Sequence, residues 1–539
     1  MSTDFDPFLQ PILFSREPRL QRYAQMLSNF REWVLTEVDA QANYTDRYAP
    51  PALQSYDRRG EIINRVVTNS QYDAQHQEAY RRGIIGLPYA EGAPHSLSFA
   101  MGYLLSQADI SLHCPVTLTG AVAYVLGYHA PENLREKFLR DVVRMDEQTR
   151  TGGTWATEKH GGSDVGATTT IASRVGDHFT LNGLKWFTSN ANSGVAVATA
   201  RPGGAPSGSA GLGLYLVPSH LDDGQQNRYF IRRLKDKLGT KGLPTGEIEL
   251  RDTYAIEIAG PPHGFKLMME ALEYSRVHNA VGAAGVARRA LSEAFQWCES
   301  REAFGTTIIQ YPMVQDELLR MAVRFQAGAL LAFEAALAFD TALADPEQRT
   351  WLRFVTSLAK YLTAEYAITS CRSALELIGG NGYTSDYPIA RIYRDAQVLT
   401  VWEGPANIQA LELLRLLAPK YGGVAIYEQH MRTICNKLAN SPELAKRLEA
   451  RLTGDKQAIT TAMRDQQSAE RYARKLLHRM SETLAFALLC DWAATRGKEP
   501  GIRAALAYFE SIEPPSLGSE NAGVRDSALE IVRAALSGS

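Results

Sequence analysis

The chain has 539 residues, 45% hydrophobic and 22% charged. This globular composition excludes a disordered or collagenous polymer, and the length exceeds one core, so about three or four domains are expected. Its 57 basic and 59 acidic side chains leave a net charge of -2, which gives no overall attraction to nucleic acid or to an anionic membrane.

Five scattered cysteines include no CxxC pair. They argue against a disulfide framework or a thiolate metal site and fit a reduced, cytoplasmic setting. The start, MSTDFDPFLQ, lacks the basic and apolar regions of a signal peptide. No apolar run reaches about 18 residues, so no membrane span is expected.

Four blocks follow in chain order. Residues 1–150 carry apolar spacings of 3 and 4 in LQRYAQMLSNFREWVLTEV and ENLREKFLRDVVRM, which predict a helical domain. A Pro- and Tyr-containing stretch near 42–60 reads as an extended arm. Residues 151–258 switch period: HFTLNGLKWFTS, GVAVATARP, GLGLYLVP and GEIELRD are short, β-branched or aromatic, and bounded by turn residues. They predict a central antiparallel β-domain. Residues 259–418 return to long helices, and the small residues of GAAGVA imply close helix packing. The break YGGVA opens an additional C-terminal helical domain, 419–539. From residue 417 onward there are 17 Lys/Arg against 14 Asp/Glu. The fold class is therefore α+β and multidomain.

Four segments could carry chemistry. In 154–165, TWATEKHGGSDV, Thr157, Ser163 and the amides around Gly161 and Gly162 offer several donors, and the glycines allow close approach to a flat or phosphorylated ligand. A polar loop between elements explains the same residues equally well. In 182–190, NGLKWFTSN, an Asn-Gly hairpin turn leads into a strand whose adjacent aromatics point to opposite faces. One ring can fill the core while the other covers a ligand, or both can merely pack. Arg301, in REAFG, ends a long helix and could grip a pyrophosphate, although such an arginine is commonly just solvated. Last come ELIGGNGY (376–383), RIYRDA (391–396) and VWEGPANIQ (401–409). Gly379 and Gly380 present backbone suited to a diphosphate or form only a helix cap. Glu403 lies in an otherwise apolar stretch that favours a working base, or is an ordinary loop carboxylate.

TE-x-x-GGSDV, NG-x-KWF, R-x-x-FG, GGNGY, RIYRDA and WEG-x-x-NIQ, in this order over about 154–415, resemble the acyl-CoA dehydrogenase family. SLHCPVTLT (111–119), LKDKLG (234–239) and the extra C-terminal block resemble its long AidB-like branch. The resemblance implies that family's fold and one FAD per subunit. It implies that Thr157 and Ser189, with Thr188 between motif residues, meet the flavin ring. Phe187 would flank the ring's face, and Ser163 would line the acyl-CoA or flavin site. Arg301 and Phe304 would contact the FAD diphosphate or adenosine of a neighbouring subunit, Gly379 and Gly380 the diphosphate, and Asn407 the adenosine end. Glu403 matches the family's catalytic base, next to Gly404, and Arg276 an arginine that supports the substrate site. Glu376, Pro312 and Pro405 depart from the family's frequent Gln, Gln and Thr. Ser275 is not the acid that some members place on that helix.

The implied reaction is α,β-desaturation of an acyl-CoA thioester, with Glu403 taking the α-proton and flavin N5 the β-hydride. Implied partners are acyl-CoA, an electron-transfer flavoprotein, and further copies of the chain in a tetramer or dimer. One alternative is an AidB-like flavoprotein that binds DNA or protects against alkylation, with DNA a disfavoured partner. Arg471, Lys475 and Arg479 are four apart and with Arg474 form a basic stripe, but interleaved acids fit a solvated face or a subunit contact. A flavin oxidase or monooxygenase is the remaining alternative, and the presence of Glu403 weighs against it.

Overall fold

Strands begin where the sequence period changes, near residue 151. The computed structural model describes residues 4–496, 499–514 and 521–537. By compactness the chain forms two units: one of Val34–Ala93 and Asp109–His278, the other of Met1–Trp33, Pro94–Ala108 and Asn279–Ser539.

The first unit holds nine strands. β1 (Ala52–Tyr56) and β2 (Ile62–Val67) form an antiparallel hairpin. The stretch near 42–60 is thus not an extended arm. A helix runs to Tyr48, two prolines at 50 and 51 end it because proline disfavours a helical predecessor, and β1 follows. The main sheet contains β3 (Gly152–Trp155), β4 (Ile171–Val175), β5 (His178–Ser189), β6 (Val195–Pro202), β7 (Gly213–Pro218), β8 (Tyr229–Leu234) and β9 (Thr245–Ala259). β6, β4, β5, β9 and β7 pair in a closed ring, with β3 added on β6 and β8 on β9. Antiparallel pairs predominate, while β3–β6 and β4–β6 are parallel.

The ring explains the run-like sequence of β6 and β7. Val195–Ala200 and all of β7 are buried, as continuous apolar strands covered on both faces should be. Trp155, Phe179, Leu181, Tyr215, Tyr229, Ile231 and Ile248 fill the interior. Full burial of an aliphatic side chain such as Ile248 contributes about 1.5–3 kcal/mol. Helix Ile110–Tyr128 is capped by Asp109, whose carboxylate accepts the Ser111 amide at 2.7 Å. It meets the sheet where Thr119 Oγ1 accepts the Gly152 amide at 2.9 Å. A Cβ on Gly152 would lie 2.8 Å from the Thr119 Cα.

The second unit is helical. Helix His263–Ser300 enters it at Asn279, followed by Pro312–Ala344, Arg349–Ile378 and Ala406–Leu417. The GAAGVA segment packs closely, as read from its small residues: a Cβ on Gly285 would meet the Tyr103 carbonyl oxygen at 2.2 Å. The C-terminal helices, beginning at Gly423–Lys437, are joined to this unit by specific contacts. Tyr508 and Tyr366 hydroxyls lie 2.8 Å apart. His430 stacks on Trp351 at 3.6 Å. Arg288 donates to Asp6 at 3.2 Å and to the Leu536 carbonyl at 2.9 Å, so one guanidinium holds residues from both ends of the chain.

Contrary to the expectation from apolar runs, Ile110–Tyr128 and Pro312–Ala344 are long and apolar enough to cross a membrane by composition. Polar residues interrupt the runs without lowering the average enough. Their windows are 94% and 72% buried within the protein, the pattern of core helices.

Candidate active site

The two N-terminal motifs meet through a buried ion pair. Lys185 Nζ lies 2.8 Å from Glu158 Oε1 and donates to the Thr199 carbonyl at 2.8 Å. Lys185 is 0% and Glu158 3% exposed. The carboxylate also accepts the Thr169 and Thr170 amides and both hydroxyls, so its acceptor sites are filled. Burial alone would raise Glu158, but the Lys185 ammonium and the threonine donors outweigh it and hold the carboxyl at about 2. Burial pushes Lys185 down against the pull of Glu158. The backbone repeats the connection, with the Trp186 amide donating to the Thr157 carbonyl at 2.9 Å. Glu158 and Lys185 escaped the sequence reading. The available signal was a lysine in a strand otherwise rich in apolar and aromatic residues.

This arrangement corrects several expectations. Asn182-Gly183 is not a hairpin turn but lies inside β5, opposite a register shift in β9. Asn182 exchanges bonds with Asp252, at 2.9 and 3.0 Å, and a Cβ on Gly183 would strike Thr170. The β4–β5 turn is Gly176-Asp177, with Gly176 at φ +62. Neither aromatic is a core residue. Trp186 is half-buried and Phe187 is 56% exposed, because Lys185 takes the inward position. A register shift follows in β5, and Lys235 Nζ stands 3.5 Å from the Trp186 ring centroid and 4.9 Å from that of Phe187.

Thr157 is half-buried and Ser163 exposed. A Cβ on Gly162 would meet Thr157 Oγ1 at 2.7 Å, so glycine there leaves room for the hydroxyl. The Gly161 amide is already bonded to the Glu158 carbonyl and is not an open donor. Thr188 is buried and donates to the Gly246 carbonyl at 2.8 Å, so its proton is engaged within the sheet. Ser189 Oγ lies 3.2 Å from Thr245 Oγ1. Arg276, half-buried on the same unit's helix, is 3.3 Å from Glu273.

The remaining named residues lie in the helical unit. Arg301 is exposed at the start of a small hairpin, β10 (Glu302–Ala303) and β11 (Thr306–Thr307). Its turn residues Phe304 and Gly305 have φ +53 and +90, as a two-residue hairpin loop requires, and Phe304 is 98% exposed. Pro312 opens the following helix at its first position, where its missing donor costs nothing. Gly379 caps helix Arg349–Ile378 at φ +73. A Cβ on Gly379 or Gly380 would meet nothing within 4 Å.

Glu403 is half-buried and has φ +59, followed by Gly404 at φ +97. Pro405 then leads directly into helix Ala406–Leu417, with Asn407 exposed on its first turn. Gln409 Nε2 donates to the Glu403 carbonyl at 3.1 Å and the Gly404 carbonyl at 3.0 Å. Lys360 Nζ donates to the Gly404 carbonyl at 2.9 Å. Sequence reading also missed Lys360 and the role of Gln409, since neither lies in the Trp402–Gly404 segment.

The basic stripe of the C-terminal block is broken. Arg479 turns inward, with Nε 2.7 Å from the fully buried Asp455 and Nη2 donating to the Arg451 carbonyl. Arg471 and Lys475 stay exposed, and Arg474 lies 3.9 Å from Glu365.

Residues 4–146 match the adaptive response protein AidB N-terminal domain, 153–253 the acyl-CoA dehydrogenase middle domain, and 262–417 the acyl-CoA dehydrogenase C-terminal domain. Acyl-CoA dehydrogenase family member 11 of Caenorhabditis elegans is 29% identical, over 95% of this chain and 87% of that protein. Putative acyl-CoA dehydrogenase AidB of Escherichia coli is 31% identical, over 69% of this chain and 70% of its own. The crystal structure of Caenorhabditis elegans ACDH-11 in complex with C11-CoA superposes with a TM-score of 0.88 at 26% identity, covering 99% of this chain and 95% of that one. With the helical, sheet and helical segments described above, these matches establish that the chain belongs to the acyl-CoA dehydrogenase family, in the branch that carries an AidB N-terminal domain.

Proposed function

We propose that the protein desaturates an acyl-CoA thioester between Cα and Cβ, with Glu403 as the base that removes the α-proton. The observation that supports this is the backbone at Glu403. A non-glycine residue held at φ +59 adopts a conformation that L side chains avoid, and such strain clusters at functional positions. A main chain held in one conformation sets the point from which the carboxylate extends, and a base placed in advance needs less reorganisation. Acyl-CoA as the substrate class is supported by family membership and by the worm relative solved with C11-CoA.

The residues present accommodate FAD. Gly161, Gly379 and Gly380 each leave space where a side chain would stand, and Phe187 and Phe304 present exposed rings. Thr157, Phe187 and Ser189 are the residues for the flavin ring. Arg301, Phe304, Gly379, Gly380 and Asn407 are those for the diphosphate and adenosine. When bound, FAD supplies the hydride acceptor. Arg276 is the residue that supports the substrate. A homo-oligomer and an electron-transfer flavoprotein as external acceptor complete the proposal.

Glu403→Gln tests it, because the amide keeps size and hydrogen bonding but takes no proton. FAD content and acyl-CoA affinity stay, while anaerobic flavin bleaching by an acyl-CoA slows by at least about 10²–10⁴-fold, the usual share of a general base. Bleaching at the wild-type rate ends the assignment of Glu403.

A further inference from the structure

A left-handed glutamate persists only where its surroundings over-determine it, since the conformation costs on the order of 1–3 kcal/mol. Here two consecutive residues, Glu403 and Gly404, have positive φ, and their carbonyls are both engaged from within the helical unit. Gln409 reaches back from the first turn of helix Ala406–Leu417 and bonds both. Lys360 reaches the Gly404 carbonyl from the middle of helix Arg349–Ile378. Both donors are 1% exposed, so both bonds are made from inside the helical unit. Gly404 itself is confined: a Cβ there would lie 3.0 Å from Gln409 Nε2 and from Ile408 Cγ2.

We infer that Lys360 and Gln409 are positioning residues that clamp the Glu403–Gly404 peptide in its left-handed form and thereby aim the Glu403 carboxylate. The inference rests on Glu403 being the base. Neither side chain takes the proton, and both act through the main chain. Lys360 is the more informative of the two, because it stands 43 residues from Glu403 along the chain and contributes no other residue to the WEG turn. Its removal leaves the Gly404 carbonyl with one donor, and the peptide gains a route back to ordinary backbone angles. A displacement of about 1 Å at a reacting group costs up to about 10²-fold in rate.

The experiment uses the FAD-loaded full chain and four proteins: wild type, Lys360→Met, Glu403→Gln and the double variant. Lys360→Met keeps the stem and deletes the donor. The clamp predicts about 10- to 100-fold slower flavin reduction by a saturating acyl-CoA, with KM within about threefold and FAD content unchanged. It also predicts no further loss when Lys360→Met is added to Glu403→Gln, because nothing remains to be aimed. Wild-type rates in Lys360→Met, or the same fold-loss in the Glu403→Gln background, overturn the inference. A Glu403→Gln protein that reduces its flavin normally overturns instead the reading of the base on which the clamp rests. If Lys360→Met does not accumulate as folded protein, Gln409→Met is measured in its place against the same criteria.

Discussion

Replacing Lys185 with methionine removes one charge from the sheet interior and leaves the other. Glu158 would keep the amides and hydroxyls of Thr169 and Thr170 but lose its ammonium partner. Breaking a buried pair from one side costs about 3–5 kcal/mol, and the four remaining donors place this case at the lower end. A second route gives the same scale. A carboxyl held at about 2 against an ordinary 4.5 prefers its charged form by about 3 kcal/mol. In a unit of this size that lowers Tm by about 6–12 °C. The sign with pH follows from the depressed carboxyl: its contribution is complete above about 4.5 and is lost as pH falls toward about 2. The gap between wild type and Lys185→Met is therefore widest at pH 5–7 and narrows as acid is added. Circular dichroism melts from pH 7 down to below 4.5 measure it. Lys185→Met/Glu158→Gln, which removes both charges, recovers at least half the loss. A single variant melting within about 2 °C of wild type, or a gap that widens in acid, would refute the reasoning.

Arg479→Ala leaves the fully buried Asp455 short of a partner and destabilises the C-terminal helices by about 3–5 kcal/mol. Arg471→Ala, on the exposed side of the same helix, changes stability by no more than about 0.5 kcal/mol. Limited proteolysis of the two variants separates them, and equal resistance refutes the difference. Gly285→Ala places a methyl 2.2 Å from the Tyr103 carbonyl, a backbone atom that cannot rotate away. Urea unfolding shows a loss of about 1–3 kcal/mol, and an unchanged midpoint refutes the tight contact.

The elements that were legible in the sequence are those that carry their cause locally. β6 and β7 read as strands because each is a short apolar run bounded by turn residues. The glycine pair was legible as a helix cap, which Gly379 is, because the signal lies next to the helix it ends. The features that were missed depend on partners far along the chain. Asn182-Gly183 has the composition of a turn, and only its pairing with Asp252, seventy residues on, makes it strand. Arg479 has the spacing of an exposed stripe, and only Asp455 on another helix draws it inward. Lys185 carries no local sign of its partner until Glu158 is placed beside it. Periodicity reports which face of an element is apolar. It does not report where a long polar side chain finds its counter-charge, and both Lys185 and Lys360 are of that kind.

The ring of strands also imposes an order on synthesis. β9, the last strand of the ring, pairs with β5, β7 and β8, so nothing made before Thr245 can close the circle. Until then β5 and β7 each carry an open edge, and the apolar faces of β6 and β7 have no lid. The local hairpins β4–β5 and β6–β7 can form early, whereas the β5–β9 pairing joins residues about seventy apart and forms slowly. A chain arrested between Pro218 and Thr245 therefore offers two free strand edges to its neighbours, the arrangement most prone to sticking edge to edge. One released after Ala259 offers neither.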